Sequence, residues 1–147
     1  MRLQNKIALL TGAAAAIKGE LMGFGSAAAH LFVREGAKVV LTDIRDDLGE
    51  RAAASLRAEG HDARYLHLDV KSEQDWARVV DAVMAAQAAW TSCSTTPVSP
   101  SPPRSRTSPW KSGKLGVHAK GVFLGTRTAI PAMRKGAKAG RSSTRPR

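Results

Sequence analysis

The chain is poor in the residues that announce metal, redox or membrane chemistry. It has one cysteine, Cys93, one tyrosine, Tyr65, three tryptophans and three phenylalanines in 147 residues. A lone cysteine excludes an internal disulfide, and His30, His61, His67 and His118 lie too far apart in the sequence to resemble a zinc site. No run of about 18 apolar residues is present to span a bilayer. The opening Met1-Arg2-Leu3-Gln4-Asn5-Lys6 leads into an apolar strand without a signal-cleavage pattern, so a cytoplasmic protein is expected. At 147 residues, one compact domain is the ceiling.

Acidic residues are missing from the whole C-terminal part. All twelve lie between Glu20 and Asp81, so the net charge of +11 is not spread along the chain. Residues 1–87 hold eleven Lys/Arg against those twelve acids, whereas residues 88–147 hold twelve Lys/Arg and none. A basic tail of this kind raises the alternative of a nucleic-acid-binding arm that neutralises phosphates. Against it, the bases of such an arm, residues 104–147, are scattered among Pro, Ser, Gly and Ala, with only Trp110 and Phe123 there available for stacking, so nucleic acid is not the expected partner.

Residues 1–87 alternate strand and helix patterns in the order that builds a parallel sheet with crossover helices, an α/β class. Lys6-Ile7-Ala8-Leu9-Leu10-Thr11 reads as a buried strand ending at Gly12. Helical spacing follows over 26–35, with Ala29, Leu31, Phe32 and Val33 toward the core and Gly36 as the stop. Lys38-Val39-Val40-Leu41-Thr42-Asp43 is a second strand, Asp46-Asp47 opens a helix over 46–59 closed by Gly60, and 63–69 forms a third strand. Ser72, with Glu73 and Asp75, starts a helix carrying Trp76, Val79, Val80, Val83 and Met84 on one face. The result is βαβαβα. From 88 to 114 periodicity vanishes into Ser, Thr and Pro, which predicts disorder. A helix is expected over 115–135, and the basic 136–147 is expected to be unstructured.

A strand ending in Gly12, then Gly23-Phe24-Gly25 at a helix start, then an acid closing the second strand is a dinucleotide-binding arrangement. Glycines allow the tight turn and the close backbone approach, and the helix N-terminus offers free N–H groups to a pyrophosphate. Thr11-Gly12-Ala13-Ala14, Gly23-Phe24-Gly25, Arg34-Glu35-Gly36-Ala37, Leu41-Thr42-Asp43-Ile44 and Leu68-Asp69-Val70 together resemble, in register, the landmarks of the short-chain dehydrogenase/reductase family. The resemblance implies a Rossmann-like, doubly wound parallel sheet, here incomplete. It departs from the family in the glycine loop, where ten residues separate Gly12 from Gly23, seven more than the family's three. The surplus falls in 15–21, including Lys18 and Glu20, and the alternative alignment, with Ala16 and Lys18 at the two glycine positions, would obstruct the pyrophosphate.

The resemblance also implies roles. Gly12, Gly23, Phe24 and Gly25 would cradle the cofactor, and Asp43, followed by Ile44, would accept hydrogen bonds from the adenosine ribose. Asp69 and Val70 would flank the adenine. A carboxylate at Asp43 would repel a 2′-phosphate, so NAD is expected over NADP, with Arg45 softening the preference. The helix around 117–133 would be an oligomer face. No metal is expected.

The family's proton-transfer residues, a Ser and a Tyr with a Lys four residues on, are not matched: Tyr65 stands in the third strand with no lysine at that spacing. Val117-His118-Ala119-Lys120-Gly121-Val122-Phe123 resembles the helix that bears a catalytic Asn, with His118 at its position. A shifted reading frame accounts for the gap. Reading the third base of each codon with the first two of the next, the codons from Ala89 onward permit Leu-Asp-Val-Leu-Leu-Asn-Asn-Ala-Gly, the fourth strand and turn of the family. The same shift at 109–113 permits Val-Glu-Glu-Trp-Glu, and at 140–147 Ser-Ile-Val-Asn-Thr-Ser-Ser. A slip near 88, its reversal near 115 and a second slip near 136 leading to an early stop are therefore expected. The chain should derive from an NAD-dependent dehydrogenase of secondary alcohols and be inactive itself, alone or associated with an intact homologue.

Overall fold

The computed structural model describes residues 1–14, 24–86, 92–94 and 114–141. Strand β1 (Ile7–Thr11) carries five buried residues in succession, as a strand covered on both faces must. Its pleat divides them. Ala8 and Leu10 enter one apolar cluster with Ala29, Val33, Leu41 and Leu56, while Ile7 and Leu9 enter a second with Trp76, Val79 and Val83. Strand β2 (Lys38–Asp43) runs parallel to β1, with Ile7 opposite Lys38 and Thr11 opposite Thr42. Strand β3 (Ala63–His67) lies parallel beyond β2, and β4 (Ser92–Ser94) parallel on the other side of β1, giving the order β3-β2-β1-β4. Sheet growth reverses at β1. That reversal puts a crevice at the carboxyl ends of β1 and β4, the place where doubly wound sheets bind ligands.

Two helix layers cover the sheet. Helices α1 (Phe24–Arg34) and α2 (Asp46–Ala58) contribute to the first cluster. Helices α3 (Glu73–Ala86) and α4 (Lys114–Arg141) contribute to the second. On α1 the buried residues Gly25, Ser26, Ala29 and Val33 follow helical spacing. Leu31, expected toward the core, is exposed instead, because it sits about 200° around the helix from Ala29. Gly36, at φ +87°, ends this helix: its N–H donates to Val33 O at 3.0 Å and that of Ala37 to Phe32 O at 3.0 Å, the paired closure that a left-handed glycine permits. At the start of α3, Ser72 Oγ accepts the Asp75 N–H at 3.2 Å, an N-cap of the expected kind. Trp76 is fully buried, and its indole N–H is satisfied by Val70 O at 3.0 Å.

The C-terminal part differs from expectation at two places. Within the stretch expected to lack structure, Ser92–Ser94 forms β4, whose backbone pairs with Ala8, Leu9 and Leu10. Pairing needs only the main chain, so a polar Ser-Cys-Ser triplet completes a ladder that its side chains do not announce. The remainder of 88–91 and 95–113 lies outside the described residues. Helix α4 also runs on to Arg141 instead of ending near 135, passing through Pro131. Proline removes one helical hydrogen bond, but the Ala-, Lys- and Arg-rich sequence that follows has high intrinsic helix propensity. The tail expected to be unstructured is therefore helical over 136–141, and 142–147 lies outside the described residues.

Candidate dinucleotide-binding site

The site grows from the end of β1. Gly12 adopts φ +67°, a left-handed turn that an L side chain resists, and it redirects the chain across the top of β2. The Ala13 N–H donates to Thr42 O at 3.2 Å, and the Ala14 N–H to Asp43 Oδ2 at 3.1 Å. The first turn of α1 packs directly against this corner. A Cβ at Gly25 would stand 3.0 Å from Gly12 O and 3.2 Å from Thr11 O, tighter than an ordinary contact with backbone, so glycine suits the approach. Phe24, the first residue of α1, is exposed. Ser26 Oγ is buried in the same turn without a hydrogen-bond partner among the described residues. Gly23 and the seven surplus residues of the loop lie outside the described residues.

Asp43 closes β2 as a buried carboxylate held almost entirely by backbone. Its Oδ1 accepts the N–H groups of Ile44 at 2.9 Å and Arg45 at 3.2 Å, with Arg45 Nε at 3.4 Å. Among the described residues its Oδ2 accepts one N–H, that of Ala14, which leaves acceptor capacity on that oxygen. The Arg45 guanidinium lies on the solvent side of this pair, and Ile44 projects an exposed apolar side chain beside it.

The next strand supplies a second polar cluster. Tyr65 Oη lies 2.8 Å from Asp43 O and 2.8 Å from Asp46 Oδ1, and His67 Nδ1 lies 2.7 Å from the same Asp46 oxygen. The hydrogen bond from Tyr65, then that from His67, holds the Asp46 carboxyl below the usual range. Burial, then the hydrogen bond to Asp46, pushes the Tyr65 phenol well above its ordinary value, so it stays a neutral donor. Asp69 follows β3. Its N–H donates to Asp75 Oδ2 at 3.0 Å, which lowers the Asp75 carboxyl, and its Oδ1 accepts the Lys71 N–H at 2.9 Å.

Of the residues expected to form the site, Gly12, Gly25 and Asp43 meet at one corner, with Phe24 and Ile44 nearby in the chain. Val70 turns the other way. It packs in the second cluster, where a Cβ at Gly121 of α4 would stand 3.0 Å from Val70 Cβ. His118, half-buried, stands one helical turn before Gly121, so α4 carries it on the α3 side of the sheet. Sequence reasoning missed Ala14, Ser26 and the Tyr65–Asp46–His67 cluster. The only local signal for the cluster was Gly49 in the middle of α2: a Cβ there would fall inside the Tyr65 ring.

The family model described as enoyl-(acyl carrier protein) reductase matches residues 19–142. The chain belongs to the short-chain dehydrogenase/reductase family. It is 34% identical over 139 residues to cyclopentanol dehydrogenase of a Comamonas strain, covering 93% of this chain and 53% of that protein. It is 36% identical over 137 residues to the NADP-dependent (R)-specific alcohol dehydrogenase of Lentilactobacillus kefiri, covering 90% and 50%. The crystal structure of apo LigD from a Sphingobium strain superposes with a TM-score of 0.72 at 30% identity, covering 89% of this chain and 54% of that one. This short-chain dehydrogenase/reductase chain thus spans about half the length of the relatives it matches. No helix among the described residues is long and apolar enough to cross a membrane, and no group of three or more His, Cys, Asp or Glu among them could hold a metal ion.

Proposed function

We propose that these 147 residues form the nucleotide-binding half of a dehydrogenase that interconverts secondary alcohols and ketones, and that they bind NAD in preference to NADP without turnover. The observation that carries the reading is the Asp43 carboxylate, buried and fixed by three backbone N–H groups beside the close approach of Gly25 to Gly12. Such an acceptor suits a ribose hydroxyl and disfavours a 2′-phosphate. The residues present fit a dinucleotide. Gly12 and Gly25 leave a side-chain-free cradle at a helix N-terminus, Ser26 Oγ lacks a partner among the described residues, and Phe24 and Ile44 offer exposed apolar surface. Asp69 would face the adenine, and Gly23 would complete the cradle. The packing of partly buried Val70 against α4 leaves it a smaller share of the adenine wall.

When bound, NAD would supply hydride chemistry; this chain's own residues would bind and orient it. They would not move the substrate's proton. Tyr65 is engaged with Asp43 and Asp46 and stays neutral, and no lysine follows it at the family spacing. On the same reading, α4 serves as a face for a second copy, where Val122, Phe123 and Ile130 are exposed. Calorimetric titration tests the cofactor assignment. NAD should bind more tightly than NADP, and Asp43→Ala should reduce that preference about tenfold or more, the loss of a charge-assisted acceptor. Equal binding of both cofactors by the unmutated chain overturns the role given to Asp43.

A further inference from the structure

The turn from β2 into α2 carries the carboxylate on which cofactor choice would depend, and turns of this kind are ordinarily the mobile parts of a fold. Here one side chain of the neighbouring strand reaches both ends of the turn. Tyr65 Oη stands 2.8 Å from Asp43 O, an oxygen that also accepts the Leu68 N–H at 3.0 Å, and 2.8 Å from Asp46 Oδ1. A phenol has a single proton, so it donates to one of these acceptors at a time while remaining close to both. Its ring lies over Gly49, where any side chain would displace it. His67 approaches the shared Asp46 oxygen from the end of the same strand at 2.7 Å, and its other ring nitrogen stands 3.9 Å from Asp75 Oδ2.

Asp46 is two-thirds exposed, and hydrogen bonds at such positions add little to global stability. A tie that contributes little to the fold but spans the residues on either side of Ile44 and Arg45 acts on local order instead. We propose that Tyr65 is a positioning residue: within hydrogen-bond reach of both ends of the Asp43–Asp46 turn and donating to one or the other, it orders the Asp43 carboxylate before ligand arrives, with His67 orienting the Asp46 acceptor. The inference rests on the reading of Asp43 as the ribose-binding residue and deepens it. Preordering of this kind lowers the entropic cost of binding without adding a contact to the ligand.

The test is a double-mutant cycle in the full 147-residue chain, read by NAD titration and by amide hydrogen exchange. Tyr65→Phe keeps the ring on Gly49 and removes only the hydroxyl. It should weaken NAD binding about fivefold, the scale of one hydrogen bond, and should have no further effect in an Asp43→Ala background. The Ile44 and Arg45 amides should exchange faster in Tyr65→Phe, while those of Leu9 and Leu41 in the central strands stay unchanged. Equal losses in both backgrounds, or unchanged exchange at Ile44 and Arg45, overturn the proposal. Asp46→Ala, a surface change, should reproduce both effects if Tyr65→Phe folds poorly. If the unmutated chain binds no nucleotide, the ribose reading fails, and the exchange rates alone decide whether Tyr65 holds the turn.

Discussion

Residues 24–86 and helix α4 are held to the same sheet by different means. In the first region acids and bases are interleaved, and polar joints link successive elements: Arg57 reaches both Glu50 and Ala63 O, Lys38 pairs with Asp62, and Arg78 bonds Asp75 and His67 O. Helix α4 contains no acidic residue and packs chiefly on α3. Among its described residues it is seated by apolar contact, through buried Leu124 and Ala129 and the close fit of Gly121 on Val70. Exposed ion pairs contribute under about 1 kcal/mol each, so the contrast lies less in stability than in specification. Polar joints fix one geometry where successive elements meet, whereas an apolar seat leaves Val122, Phe123 and Ile130 uncovered.

The comparison breaks most completely if the C-terminal composition is a coding accident, which we infer from the shifted-frame reading. Its Leu-Leu falls on β4, where a polar Ser-Cys-Ser now pairs with the fully buried β1. A chain recoded at the slips near 88, 115 and 136 and continued in frame should reduce NAD with a small alicyclic alcohol. The 147-residue chain should show no turnover above background. Coding DNA with no downstream Tyr-x-x-x-Lys in the shifted frame would remove the explanation and make the basic composition a feature to be explained by function.

A smaller change sharpens the contrast between the two seats. Trp76→Ala empties a site that is wholly buried and also strands Val70 O, and it should destabilise by about 3–5 kcal/mol in urea unfolding. Leu124→Ala, at the seat of α4, should cost about 2–3 kcal/mol. No loss from Leu124→Ala would mean that α4 is not docked on α3 in solution.

How much of this was legible in the sequence follows from the range of the interactions. The second strand, 38–43, was readable to the residue because a β-branched run bounded by Gly36 and an acid admits little else. Trp76, Val79 and Val83 could be assigned to one face because helical spacing is local. Leu31 is exposed although apolar, because its angular position on α1 and not its hydrophobicity sets its face. The short strand at Ser92–Ser94 has no signal in the encoded residues, only in the shifted frame, since it is held by main-chain bonds to β1. The corner of Gly12, Gly25 and Asp43 was visible as a family pattern. The tie from Tyr65 to Asp43 and Asp46 was not, because it joins residues 22 and 19 positions apart through strand pairing that no local pattern encodes.

The smallest expected effect concerns acid, and it separates the two regions by chemistry that only one of them has. The carboxyls of Asp46 and Asp75 are held below their ordinary value, Asp46 first by the Tyr65 hydrogen bond and Asp75 first by the Asp69 N–H. A carboxyl depressed in the folded state binds fewer protons there than in the unfolded chain. Its stabilisation is present above the unfolded pKa, about 4, and is lost as pH falls through the lower folded value. Helix α4, without acids, contributes nothing to this loss. Urea midpoints measured from neutral pH downward should therefore fall below about pH 4, and an Asp46→Asn, Asp75→Asn double variant should show a shallower fall from a lower starting stability. An equally steep fall in the double variant would place the acid sensitivity elsewhere, with Glu35, whose carboxyl the Arg2 backbone N–H lowers, as the next carboxyl to change.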